Sequence, residues 1–462
     1  GHKASTERVE LDAMRPTLLP LLVANAFLRP APRTTPSRRP AATLEPPVQQ
    51  QSLNTKEKVA ILLLNLGGPQ TTADVEPFLY NLFADPDIIR LPSAIGGLQT
   101  ALAWLIATRR APKSRAAYES IGGGSPITMY TTEQGRLLEE ALNGDGSGVE
   151  YKSYVAMRYW HPFTDEALDR AAADGCTSAV VLPLYPHFSI STTGSSLRAL
   201  LSEMQASHPQ LMASHTVVPS WHDSRGYVNL VARLVAEELD GLMRDVGPLN
   251  PGEPPPTVLF SAHGVPVSYI EEAGDPYKGH IEKTVQLVSE QARKLHPHPA
   301  SYELCFQSRV GPVKWLEPYT DAALEAIGGR GCERIVVVPI SFVSEHIETL
   351  EEIDIEYREV AEDAGIKHWR RAPALNLDGE FIDELAHQVT SAVNKPVVSS
   401  VEACVVNAFD LRDEPLGVLP GVEAAPVELI NTKTATVAIA IAFIFELLAD
   451  DRLVHVLGVG AV

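Results

Sequence analysis

Short apolar runs alternate along this chain with longer stretches in which apolar residues recur every three or four positions. The run VAILLLN (residues 59–65) is uninterrupted and stops one residue before GGP, the pattern of a buried strand meeting a turn. Comparable runs lie at 151–157, 179–184 and 216–218, and again at 258–261, 302–306, 335–340 and 368–371. Helical periodicity fills the intervals. Strands alternating with helices predict parallel sheets, and the pattern occurs twice, so the expected fold class is α/β with two parallel-sheet domains. Between the two sets lies VGPLNPGEPPPT (246–257), whose five prolines predict a linker or surface loop.

An internal repeat supports the two-domain reading. HPFTDEALDRAAADGCTSAVVLP, starting at His161, aligns without a gap on EPYTDAALEAIGGRGCERIVVVP, starting at Glu317, with ten identities in 23 positions at an offset of 156. The halves read as duplicated units. The repeated Gly-Cys (Gly175-Cys176, Gly331-Cys332) then reads as packing before a strand, not as redox chemistry. Extending the offset sets Arg158-Tyr159 opposite Lys314-Trp315. Ligands of open α/β sheets sit beyond the carboxyl ends of the strands, so a cleft between the two units is the expected site.

Composition adds limits. The 462 residues carry a net charge of −20, which leaves no basic surplus for phosphates and excludes a general nucleic-acid binder. The four cysteines (Cys176, Cys305, Cys332, Cys404) are scattered, without zinc-site or disulfide spacing, which points to a reducing compartment. Residues 13–44 hold five arginines and no acid among Pro, Ala, Ser and Thr, the composition of an organelle transit peptide. Residues 1–13, ahead of Met14, do not share it. Near the other end TATVAIAIAFIFELLA (434–449) has one charged residue, Glu446. Sixteen residues make about 24 Å of helix, shorter than the roughly 20 residues usual for a span, which fits either a membrane-inserted or membrane-docked helix or a helix buried in a partner or in its own domain.

The candidate chemistry gathers at strand ends. His263, in VLFSAHGVP, ends a strand and precedes a glycine, where a ligand can approach. After the run ERIVVVPI comes SFVSEHIETLEEIDIEY (341–357), which places Glu345, Glu348, Glu352 and Glu356 at steps of three, four and four, with His346 beside them. On a helix these carboxylates form one line that repels itself, and such a line suits a divalent cation such as Fe2+. The loop IGGGSPIT (121–128) lacks the Lys-Ser/Thr of a phosphate loop, which counts against a nucleotide-dependent enzyme. Arg109 and Arg110 suit ligand carboxylates, Tyr159 and Trp315 suit a flat ligand, and STTGSS (191–196) reads only as a turn with a helix cap.

In this order LLLNLGGP, LFADPDIIRLP, YESIGGGSPI, MRYWHP, YPHFSISTTGSS, LFSAHGVP, QSRVGPVKWLEP and SEHIETLEEIDIEY resemble the ferrochelatase family, from about residue 59 to 389. The resemblance implies two Rossmann-like domains around a porphyrin cleft, and insertion of Fe2+ into protoporphyrin IX to make protohaem. Carried over by position, His263 and Glu348 are the catalytic pair. Glu352 and Glu356, with His346, His263 and Glu348, form the implied metal path. Arg109, Arg110, Tyr118 and Ser125 match the region that holds the propionates, and Arg158, Tyr159 and Trp315 match pocket residues. No cofactor is required. No iron–sulfur cluster is expected either, since only Cys404 lies near the C-terminus and Ile190 stands where cluster-bearing members place a cysteine. The tail resembles the light-harvesting-type helix of plant, algal and cyanobacterial members. It keeps Glu428 and Asn431 but has Thr432 for Gly and Lys433 for Arg, so a membrane anchor is expected ahead of pigment binding. The implied setting is the chloroplast, on the thylakoid or envelope membrane, with a homodimer allowed. Rival readings are a chelatase for another tetrapyrrole, such as coproporphyrin III, or for another metal, and a non-catalytic carrier. The carrier would have lost His263 or Glu348, and both are present. The expected organisation is a transit-like region (1–55), a first α/β domain (56–245), the linker (246–257), a second α/β domain (258–395), a further linker (396–427) and the apolar tail (428–462).

Overall fold

The computed structural model describes residues 57–89, 93–144, 148–309 and 313–393. The transit-like region, the 396–427 linker with Cys404 and the apolar tail lie outside the described residues. Eight strands form where the apolar runs predict them: β1 (Glu57–Asn65), β2 (Val149–Met157), β3 (Ser178–Pro183), β4 (His215–Val217), β5 (Thr257–His263), β6 (Ser301–Gln307), β7 (Arg334–Pro339) and β8 (His368–Arg371). They build two four-stranded sheets, ordered β2-β1-β3-β4 and β6-β5-β7-β8. Every neighbouring pair is parallel. β1, β5 and β7 are buried almost throughout, as strands covered by helices on both faces must be.

Strand pairing carries the duplication beyond the sequence repeat, and corrects it at one place. Val180 and Val181 of β3 correspond to Val336 and Val337 of β7. Ala60 pairs with Ala179 and Thr257 with Ile335, so β5 follows β1 at an offset of 197 (257 − 60). Asn65 pairs with Met157 and Ala262 with Phe306, so β6 follows β2 at 149 (306 − 157). The same turn closes both units: Met157 N–H donates to Pro162 O at 2.8 Å and Phe306 N–H to Pro318 O at 2.9 Å. Seven extra residues (156 − 149) therefore enter the second unit after β6. Arg158-Tyr159 correspond to Gln307-Ser308, and the pairing with Lys314-Trp315 does not hold. By the same register Leu66-Gly67-Gly68-Pro69 matches His263-Gly264-Val265-Pro266.

One hydrophobic cluster runs through both units. It joins Val59, Ile61 and Leu63 of β1 to Val258 and Phe260 of β5 and Val336 and Val338 of β7, with Leu234, Val235 and Leu239 of the Arg225–Val246 helix between them. The last described helix, Gly379–Val393, belongs in sequence to the second unit but packs on the Ile127–Asn143 and Arg225–Val246 helices of the first. The Pro-rich stretch is tied down: buried Arg334 donates to Gly247 O at 2.5 Å and pairs with Glu253 at 2.7 Å. A separate apolar cluster joins helices Val75–Ala84 and Gln99–Ser120, through Phe78, Leu82, Ile106 and Tyr118, to Tyr159 and Ile347. It sets those two helices as a lip beside the SEHIE turn.

Candidate active site

His263 is the last residue of β5, and the glycine after it is there for space. A Cβ on Gly264 would stand 2.7 Å from Gln307 O, whose carbonyl accepts the Gly264 N–H at 2.9 Å. Only glycine lets the chain leave the sheet this close to β6. The turn presents the buried His263 ring to a narrow cleft between the two units. The first unit lines it with Asn65, Leu66, Tyr185 and His187, and the second with His263, Tyr277, Phe342 and His346.

Glu348 sits under His263, wholly buried. His263 Nδ1 stands 3.0 Å from Glu348 Oε2. A carboxylate oxygen accepts, so Nδ1 carries the hydrogen and the neutral ring keeps its acceptor lone pair on Nε2. Burial pushes the Glu348 carboxyl up. In their protonated forms His263, through charge and hydrogen bond, and then His346 outweigh burial and hold it below the usual carboxylate range. On the other side, His346 Nδ1 lies 3.2 Å from Ser344 O, which can only accept. The His346 lone pair is thereby placed on Nε2, 3.7 Å from Glu348 Oε1, and neither atom has a hydrogen-bond partner. Two lone-pair atoms facing each other in a buried site are electrostatically unfavourable until a proton or a cation lies between them.

The acidic row is corrected in detail. The helix is a π-helix and begins only at Glu348 (Glu348–Tyr357); wide turns of this kind occur frequently at functional sites. Glu345 precedes it and faces elsewhere. It pairs with Arg371 at 2.9 Å and accepts Ala374 N–H at 3.0 Å, so it fastens the turn and is not part of the line. Glu352 is buried beside Glu348. Burial first, then the Glu348 charge, raises it well above the usual carboxylate range. Farther out, Glu356 is half-buried, and Glu351 is pushed up to about 7 by burial and by Glu356, against the opposing charge of Lys113.

Gln307 and Ser308 complete the cluster, and neither stands out in the sequence. Gln307 Nε2 donates to Glu348 Oε2 at 3.2 Å and Glu352 Oε2 at 3.1 Å. Ser308 Oγ donates toward Glu352 at 2.8 Å and Glu348 at 3.4 Å. Ser308 has φ 63°, a left-handed conformation that a serine adopts only at a cost of about 1 kcal/mol. The fold holds it there, aimed at both carboxylates.

The remaining expected residues lie around the cleft. Arg109 is exposed and Arg110 buried, as neighbours on one helix must diverge. The Arg110 guanidinium stands 5.6 Å from the Phe83 ring centre, and burial lowers it to about 9. Tyr118 is buried, its hydroxyl raised by burial and then by the Glu348 charge. Ser125 donates its N–H to Pro69 O at 2.7 Å and fastens the Gly-rich loop to the first turn. Arg158 and Tyr159 point to a carboxylate that sequence reasoning passed over. Asp85 Oδ2 accepts from Arg158 at 2.7 Å, Tyr159 at 2.9 Å and Ser195 at 2.6 Å. Trp315 bridges to Pro266 and packs against Gly264, behind the His263 turn. Among the described residues no group of three or more His, Cys, Asp and Glu side chains stands in metal-holding geometry.

The sequence model of the family described as Ferrochelatase matches residues 58–393. A protein of Oryza sativa subsp. japonica named "Ferrochelatase-2, chloroplastic" is 45% identical over 422 residues, covering 87% of this chain and 78% of that one. A Synechococcus protein named "Ferrochelatase" is 52% identical over 351 residues, covering 76% of this chain and 87% of that one. Among solved structures, "SirB from Bacillus subtilis with Fe3+" superposes with a TM-score of 0.40 at 10% identity, over 73% of this chain and 96% of that one.

Proposed function

This chain belongs to the ferrochelatase family and inserts Fe2+ into protoporphyrin IX to form protohaem; we propose that His263 accepts pyrrole protons while Glu348, with His346, takes the incoming metal. The observation that carries this reading is the pair of buried atoms without a hydrogen-bond partner, His346 Nε2 and Glu348 Oε1, 3.7 Å apart beneath His263. A dication brought there gives both atoms a partner, and its charge lowers the raised Glu352 carboxyl. Glu356 and Glu352 lead from the half-buried rim to that point, so the metal sheds water stepwise against carboxylates.

Protons move the other way. Each porphyrin loses two pyrrole protons as the metal enters. His263 keeps its acceptor nitrogen because Glu348 holds the opposite N–H, and the imidazolium formed is stabilised by the same carboxylate. A cleft that grips a bent macrocycle exposes the nitrogen lone pairs at a cost of about a few kcal/mol. Arg109 and Arg110 recognise the propionates at the lip. Arg158 and Tyr159 support the pocket wall through Asp85. Initial rates of iron insertion test the assignment. His263→Ala is expected to lose about 10²–10⁴-fold, the usual worth of a positioned acid–base group, and normal insertion by that variant would sink it.

The protein works in the plastid. Membrane docking through residues 434–449 and homodimer formation extend the proposal. Among the described residues no helix is long and apolar enough to cross a membrane. Flotation with thylakoid-lipid vesicles, with and without the tail, tests the first, and light scattering tests the second. The proposal includes no iron–sulfur cluster, since only Cys404 lies near the C-terminus and Ile190 stands where cluster-bearing members place a cysteine. Iron–sulfur charge-transfer bands in the purified protein would contradict this.

A further inference from the structure

We infer that Tyr277 and Ser341 form a clamp on the main chain of His263, and that Asp275 ties this clamp to the opposite unit. The inference rests on the reading of His263 as proton acceptor. His263 N–H donates to Ser341 Oγ at 3.0 Å. Tyr277 O–H donates to His263 O at 2.8 Å. Tyr277 and Ser341 hydroxyls lie 2.8 Å apart. Tyrosine has one proton and spends it on the carbonyl, so the contact between the hydroxyls must be Ser341 O–H donating to the Tyr277 oxygen. The three bonds close a ring in which each proton is used once and both main-chain polar groups of His263 are satisfied. Burial raises the Tyr277 hydroxyl, which keeps it a donor at working pH.

The ring exists only in the catalytic half. At the matching residue, Leu66, the N–H donates to the neighbouring Asn65 side chain at 2.9 Å and the carbonyl accepts Tyr159 N–H at 2.9 Å. Those are contacts within the first unit. At His263 the second unit reaches instead to the start of the Tyr277–Leu295 helix and to the residue after β7 and Ile340. Asp275 anchors that helix start. Its buried carboxylate accepts Tyr277 N–H at 3.0 Å, and from the first unit Ser189 O–H at 2.7 Å and Ile190 N–H at 2.9 Å. Tyr277, Ser341 and Ser189 all line the cleft. The position of the His263 ring over Glu348 is therefore referred to both walls of the cleft. Tyr277, Ser341 and Asp275 act as positioning residues, since a ring displaced by a fraction of an ångström loses its alignment with the reacting nitrogen.

The test uses the full chain with Fe2+ and protoporphyrin IX, and compares Tyr277→Phe, Ser341→Ala, the double variant and His263→Ala. The clamp predicts that each single variant lowers kcat about tenfold, and leaves KM for both substrates within about twofold. The double variant should be no slower than the worse single one, because either change opens the same ring. Thermal melts run beside the assays give the folded fraction. If kcat per folded molecule is unchanged in both single variants, or their losses multiply in the double variant, the clamp is refuted. Loss of insertion in His263→Ala together with unchanged Tyr277→Phe and Ser341→Ala would leave the role of His263 standing and remove only the clamp. Normal insertion by His263→Ala would remove both.

Discussion

The equivalent ends of β2 and β6 each face a buried carboxylate, Asp85 in the first half and Glu348 with Glu352 in the second, and partner it in opposite ways. In the first half Asp85 is held by the Arg158 guanidinium at 2.7 Å, with Tyr159 and Ser195 hydroxyls on the same oxygen. In the second half Gln307 and Ser308 replace Arg158 and Tyr159. There Glu348 faces an imidazole 3.0 Å away, and burial and the Glu348 charge raise the Glu352 carboxyl well above its usual range. An arginine cannot give up its charge in a protein, so the first cluster is permanently closed. An imidazole and a carboxyl with a raised pKa can both change charge, so the second can accept a cation and pass protons. The contrast separates a structural acid from a reactive one more sharply than the presence of acids does.

Three substitutions break or sharpen this contrast. Asp85→Ala has the largest expected effect, because it strands a guanidinium and two hydroxyls. It should cost about 3–5 kcal/mol of stability, the usual penalty for removing one partner of a buried pair, seen as a fall in urea midpoint at unchanged slope. Gln307→Arg copies the first half into the second. A fixed cation against Glu348 and Glu352 should slow iron insertion about 100-fold, equivalent to about 2.7 kcal/mol of barrier, while porphyrin binding, followed by fluorescence, stays intact. Glu351→Gln has the smallest effect and depends on pH. The folded carboxyl titrates near 7 against an ordinary 4.5, so the native state binds the extra proton and stability falls as pH rises between those values. Removing the carboxyl should leave stability unchanged at pH 4 and raise it by about 1 kcal/mol at pH 8, after screening of a half-buried group. Equal stability of parent and variant at both pH values would show that Glu351 is not destabilised by ionisation.

The apolar runs of β1 and β5 were legible because a strand buried on both faces has no polar alternation to obscure it. His263 and Glu348 were legible because each follows such a run. Arg158 was found, but its partner was not. Asp85 lies in ADPD, which locally reads as a turn, and its role depends on contacts 73 and 110 residues away. Gln307-Ser308 escaped because polar residues at a strand end carry no periodic signal, and because the seven-residue insertion hides their match to Arg158-Tyr159. Glu345 was read into the line by extending a helical period backward across residues that form a non-helical turn. Sequence spacing locates a helix face only where the helix has begun.

The central claim is that Glu348 is the reactive acid and Asp85 the structural one. The most direct test is the initial rate of Fe2+ insertion into protoporphyrin IX by Glu348→Gln, which keeps shape and burial but cannot carry charge. The account predicts a loss of at least about 100-fold, with porphyrin binding and melting temperature close to those of the parent. Insertion within about twofold of the parent would contradict it.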